Sequence, residues 1–139
     1  MSANVLFSGP PFANDAVAAA FAAFPDAARP GLMRLRAMIF DTAAGMPQVG
    51  PLTETLKWGQ PSYAPAKRGI GSPLRLGAPK TGGAAIYAHC NTTIIGDFRA
   101  FEPGAFTFEG NRGVHLDPAV PPPAPLRLLI AAALTYHLD

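Results

Sequence analysis

Two stretches of this chain place groups with obvious chemistry side by side. AAIYAHC (84–90) ends on the pair His89-Cys90, which invites a metal-ligand or nucleophile–base reading. On a strand, however, neighbouring side chains point to opposite faces, so the two cannot share one metal or act as a dyad. Cys90 falls in phase with Ile86 and Ala88 and is expected to be a small buried hydrophobe, slow to react with thiol reagents. His89 falls in phase with Tyr87 on the opposite face. His115, between Val114 and Leu116, is likewise turned from the core. If their strands pair in one sheet, His89, His115 and Glu109 approach one another, a donor set that suits a borderline divalent metal. The plainer reading is polar side chains on the open face of a half-buried sheet.

The second stretch, ETLKWGQPSY (54–63), holds the only Trp. Leu56 and Trp58 alternate with Thr55 and Lys57, which places Trp58 inward. Gly59 and Pro61 turn WGQPSY into a bend, with Glu54, Gln60 or Ser62 as partners for a buried Trp or Tyr tip. The candidate ligand-binding set is then Lys57, Tyr63, Arg75, Tyr87, His89, Arg112 and His115, gathered at the bend and the open face. Lys57 and the two Arg supply charge; Tyr63 and Tyr87 supply flat apolar walls with hydroxyl donors.

Other motifs dissolve. GAPKTGG (77–83) has the look of a phosphate loop, but Pro79 stands where Gly must precede Lys80 and a strand follows where a helix should begin, so a hairpin turn is expected. No Gly-x-Ser-x-Gly elbow occurs, and nine acidic residues lie scattered, so no triad or carboxylate pair can be assembled and no catalysis is expected.

Positioning these groups needs a core, and 139 residues with 49% hydrophobic and 14% charged composition form a single domain with one. A formal charge of +2 with no basic run argues against nucleic acid. A single Cys suits a reducing cytosol, the first fifteen residues lack the pattern of a secretory leader, and LRLLIAAAL (126–134) is shorter than the roughly 20 residues of a membrane span. A cytoplasmic protein without membrane contact is expected.

Residues 1–12 read as a flexible arm and 13–139 as the domain. Asn14 or Asp15 caps a helix with Val17, Phe21 and Phe24 on one face, ended by Pro25. A second starts near Pro30, carries Leu32, Leu35, Ile39 and Thr42 inward, and stops at Gly45. Strands follow at 54–58, 73–79 and 84–90. Then come a helix capped by Asn91 or Thr92, with Ile94, Ile95, Phe98 and Phe101 in phase, and a hairpin of FTFE and VHLD around GNRG. A Pro-rich connector (118–125) launches a last helix with Leu126, Leu129, Ile130, Ala133, Leu134 and His137 inward. The order argues α+β, with a mainly antiparallel sheet and helices packed on one face.

LRAMI (35–39), ETLKWGQPSY, IYAHCNTTIIGDFR (86–99) and FEGNRGVHL (108–116), in this order, resemble the YdhG-like family, long catalogued as a domain of unknown function. The resemblance spans most of 14–139 and implies a frataxin-like two-layer sandwich; some members of the wider family are regarded as iron chaperones. Iron handling leans on clustered carboxylates, whereas the first two helices here carry only Asp15, Asp26 and Asp41. The expectation is therefore a non-enzymatic YdhG-like binding domain without cofactor. Its ligand is a small anion or a protein partner at the open sheet face, and a homodimer is conceivable. Metal chaperoning is the alternative, and an enzyme the distant third.

Overall fold

Asn14 opens the first helix by accepting a hydrogen bond from the Val17 N–H through its side chain (2.9 Å), satisfying a donor that a helix N-terminus leaves free. In the computed structural model, which describes residues 9–102, 104 and 106–138, this helix (α1) runs Asp15–Ala23 and buries Val17 and Phe21. The second, α2 (Arg29–Ala44), has Pro30 in its first turn and Gly45 at its C-cap. Strands β1 (Leu52–Lys57), β2 (Gln60–Pro65), β3 (Leu74–Gly77) and β4 (Ala84–Ala88) precede α3 (Ile94–Phe101). The hairpin β5 (Thr107–Glu109) and β6 (Gly113–Leu116) then leads to α4 (Leu126–Leu134).

The six strands form one sheet in the order β1-β2-β3-β4-β6-β5, every neighbouring pair antiparallel. All four helices feed a single core on one sheet face, with Leu74, Leu76, Ile86 and Val114 pointing into it. The class is α+β with an antiparallel sheet, as the element order implied. The register sends Lys57, Gln60, Ser62, Arg75, Tyr87 and His115 to the opposite face.

Strand β2 has no counterpart in the sequence reading, because Pro61 and Pro65 argue against a strand with neighbours on both sides. The pairing shows how they fit. Ala66 N–H donates to Pro51 O, so residues of even number in β2 bond toward β1, while Pro61, Tyr63 and Pro65 turn their nitrogens toward β3. There β3 pairs only Ser62 and Tyr63, so neither proline is asked for a donor.

The core also holds an ion pair. Arg36 lies on the inner stripe of α2, and its Nε and Nη2 donate to the two carboxylate oxygens of Glu54 at 2.6 and 3.0 Å. The two side chains are 1% and 3% exposed. Tyr63 Oη (2.7 Å) and the Ala13 N–H (3.0 Å) also donate to that carboxylate, so Glu54 is the partner expected for a buried Tyr. Burial alone would neutralise Glu54, but the bonds from Arg36, Tyr63 and Ala13 outweigh it and hold its carboxyl below the usual range. Burial likewise opposes the Arg36 charge, yet Glu54 keeps it above its ordinary value. Burial, then the Glu54 carboxylate, drives the Tyr63 hydroxyl far upward.

This network corrects only the last residues of the arm expected over 1–12. Residues 1–8 lie outside the described residues, but Arg36 donates to the carbonyls of Pro10 (2.6 Å) and Pro11 (3.2 Å), and its guanidinium sits over the Phe12 ring (4.6 Å). Residues 10–12 are thus a strap fastened to the core. Two inward assignments also fail: Phe101 is 65% exposed, and His137 lies beyond the end of α4 in solvent.

Gly31 lets α2 meet the Pro-rich connector. A Cβ there would stand 2.5 Å from the Pro118 Cα, so Gly31→Ala is expected to lose about 1–3 kcal/mol by overpacking, measured by urea denaturation.

Candidate functional site

The β1–β2 connection is two residues long, Trp58-Gly59, closed by the Lys57–Gln60 pair. Both have positive φ, 56° and 76°, the condition for the type I′ turn that matches strand twist. That turn favours Asn-Gly; a bulky side chain in the left-handed region is strained. Trp58 is also 89% exposed. The expected inward packing of Trp58 is therefore overturned, because alternation ends at Lys57 and the turn redirects the next side chain to solvent.

Trp58 stands at the edge of a groove of about 960 Å³. Lys57 and Gln60 come from the same hairpin, Pro73 and Arg75 from β3 and its approach, and Ala88, His89 and Cys90 from the end of β4. Arg112 reaches in from the β5–β6 turn. No Asp or Glu is among these lining residues.

The floor beside it is the Tyr87 ring, 5% exposed, and the sheet makes room for it with glycine. A Cβ on Gly113, its register partner on β6, would lie 2.7 Å from Tyr87 Cδ1, and one on Gly77 of β3 would lie 3.2 Å from Cε2. The guanidinium carbons of Arg75 and Arg112 stand 5.5 and 5.4 Å from this ring's centre. Arg112 also pairs with Glu109 (3.2 Å), whereas Arg75 is held by the amide oxygen of Gln60 (2.5 Å). Burial, and then the neighbouring Arg112 charge, lowers the pKa of Arg75. Burial also raises that of Tyr87, with the Glu109 charge adding to it.

Beyond Ala88 the chain leaves the sheet. His89 Nδ1 accepts from the Asn91 N–H (3.1 Å), and the Thr92 hydroxyl donates to the His89 carbonyl (2.7 Å). An N–H can only donate, so Nδ1 carries no proton and a neutral His89 bears its hydrogen on Nε2. Cys90 is exposed in the same turn. Its expected burial is overturned for the reason that applies to Trp58: strand alternation was carried past the strand's end. Cys90 should accordingly label quickly in native buffer.

The groove thus joins Lys57, Arg75, His89 and Arg112, four of the seven residues expected at a site, and a fifth, Tyr87, lies buried against the two arginines. Tyr63 is not there; it points to the core, edge-on to Phe40 (5.6 Å) and bonded to Glu54. Its phase was ambiguous without β2. His115 lies on the open face but is engaged by Glu109 at 2.6 Å, and that bond, ahead of Arg112, keeps the Glu109 carboxyl low. His115 pairs with Ala85, four residues before His89, which puts the two His about 13 Å apart along the sheet. The expected His89, His115 and Glu109 set is therefore not assembled, and no group of three such donors is placed to hold a metal among the described residues. Trp58, Gln60, Pro73, Ala88 and Cys90 are the lining residues that the expected set left out. A Trp-Gly dipeptide between alternating runs was the available signal for the first.

Trp58→Asn is expected to leave stability unchanged or raise it by about 1 kcal/mol, since Asn tolerates the left-handed region. A loss above about 1 kcal/mol in equilibrium denaturation would contradict this placement, because exposed positions rarely lose so much.

Among the described residues, no helix is long and apolar enough to cross a membrane. Set beside known proteins, the chain matches no family model, no curated protein and no solved structure.

Proposed function

We propose that the open sheet face is an anion-binding groove and that the protein acts as a non-enzymatic binding domain in the cytoplasm. One observation carries the reading: two guanidiniums that flank Tyr87 line one groove, and Glu109, which pairs with Arg112, is not among the lining residues. Like charges near each other disfavour each other, as Arg112 does for Arg75, and an anion reached by both offsets that repulsion while accepting several charge-assisted hydrogen bonds. Lys57 and the Nε2–H of His89 add donors from the groove's rim.

The segments that resemble the YdhG-like family also supply most of this groove. ETLKWGQPSY gives Lys57, Trp58 and Gln60, IYAHC gives His89 and Cys90, and FEGNRG gives Arg112. LRAMI supplies Arg36, whose partners Glu54 and Tyr63 belong to ETLKWGQPSY. On that ground we read the chain as a YdhG-like domain whose shared residues serve one site and the ion pair beneath it.

Calorimetry with inorganic phosphate at low ionic strength tests the anion reading. Saturable binding that weakens as salt is raised is expected, because the groove is open to solvent and screening acts on it. Absence of saturable heat at any salt concentration would contradict it.

A further inference from the structure

The groove is larger than a phosphate needs, and its most exposed wall is an indole. Resting on the anion reading above, we infer that its ligand is a planar aromatic anion, the ring stacked on Trp58 and the acidic group bound by the arginines that line the groove, Arg75 and Arg112. Three observations converge. First, Trp58 occupies the turn position that favours Asn, at φ 56°, and the residue is 89% exposed. Nothing in the core explains such a choice, and backbone strain of this kind gathers at ligand clamps. Second, Trp58 sits in the β1–β2 turn while Arg75 on β3 is level with Ser62, about three residues back along β2, which is roughly 10 Å along the strand before the spacing between strands is added. A ligand touching both must be as long as a fused ring with an acidic substituent. Third, about 960 Å³ lies at the upper end of the span usual for small organic ligands. Lys57, Arg75 and Arg112 are too few and too local to track a nucleic-acid strand, and the net charge is only +2.

Phosphate and carboxylate share the chemistry that Arg75 and Arg112 recognise, so the test uses both. Calorimetry would compare 2-naphthoate, adenosine 5′-monophosphate, adenosine and inorganic phosphate on the wild type, Trp58→Asn and Arg75→Gln. Trp58 is the only Trp, so quenching of its fluorescence reports stacking at this site alone. We expect at least one aromatic anion to bind at least tenfold tighter than both phosphate and adenosine, with quenching. Trp58→Asn should remove that tenfold advantage and leave phosphate binding intact; Arg75→Gln should weaken every anion. Whichever of naphthoate and the nucleotide binds more tightly identifies the acidic group. Equal affinity for phosphate and both aromatic anions, or a Trp58→Asn variant that keeps the advantage, would overturn the inference while leaving the anion reading standing. Failure of every anion to bind would overturn both.

Discussion

Glu54→Ala is expected to destabilise the protein by about 3–5 kcal/mol, the largest effect of any single change described here. Removing the carboxylate leaves the Arg36 guanidinium buried without its counter-charge, and breaking a buried pair from one side has that magnitude. It also strands the Tyr63 hydroxyl and the Ala13 N–H, both donors to Glu54. Arg36→Met should be comparably severe, since it leaves the carboxylate with only those two donors. The double variant Arg36→Met/Glu54→Leu should lose much less than the two singles together, because no charge is then left unpaired. Urea denaturation of the four proteins measures this; additive losses would mean that the pair is not a unit.

The same network sets a pH window. Glu54 ionises below its ordinary 4.5 when folded, so the stability it contributes is complete above about pH 4.5 and is lost as pH falls through the depressed folded value. Tyr63 acts at the other end. Its folded pKa is raised above 10.0, so its contribution is complete below that and is lost as pH rises further. Glu54→Gln should flatten the acid limb of a stability–pH curve and shrink the alkaline limb to the part that burial of Tyr63 alone supplies, because the Glu54 charge also raises the Tyr63 pKa.

The second large effect falls on binding. Arg75→Gln/Arg112→Gln is expected to lower affinity for phosphate by about 100-fold or more, since each charged hydrogen-bonding group contributes about 1.5–3 kcal/mol. Stability should move the other way or stay level. Arg75 is a half-buried cation pressed by Arg112, so its replacement relieves burial and repulsion together, which offsets the small loss of the solvent-exposed Arg112–Glu109 pair. Loss of binding without loss of stability is the mark of a site held at the expense of the fold. Equal losses of both would mean that the arginines serve structure.

How far the sequence was legible depends on where each pattern stops. Alternation along β1, β3 and β4 correctly put Lys57, Arg75 and Tyr87 on one face, and helical spacing with Asn14, Pro30 and Gly45 marked the first two helices. Trp58 and Cys90 failed alike: they lie one and two residues past the end of a strand, where a turn overrides what alternation predicts. Hydrogen bonding determines that end-point, and Lys57 and Ala88 do not announce it. Pro61 and Pro65 hid β2, because a proline is compatible with a strand only when its nitrogen faces an unpaired position, which register alone reveals. Without β2, the sheet side of Tyr63 was undetermined. Arg36 was hidden for another reason. Its partner Glu54 stands 18 residues away, and only packing brings a charge on an apolar stripe to its counter-charge.

The most direct test of the anion-binding groove is a two-dimensional amide NMR titration of the protein with inorganic phosphate at low ionic strength. The account predicts saturating shifts at Gln60, Arg75, Tyr87, His89 and Arg112, with Arg29 and Arg127, which lie on helices across the core, unmoved. Shifts spread evenly over exposed cations, or confined to residues outside the groove, would contradict it.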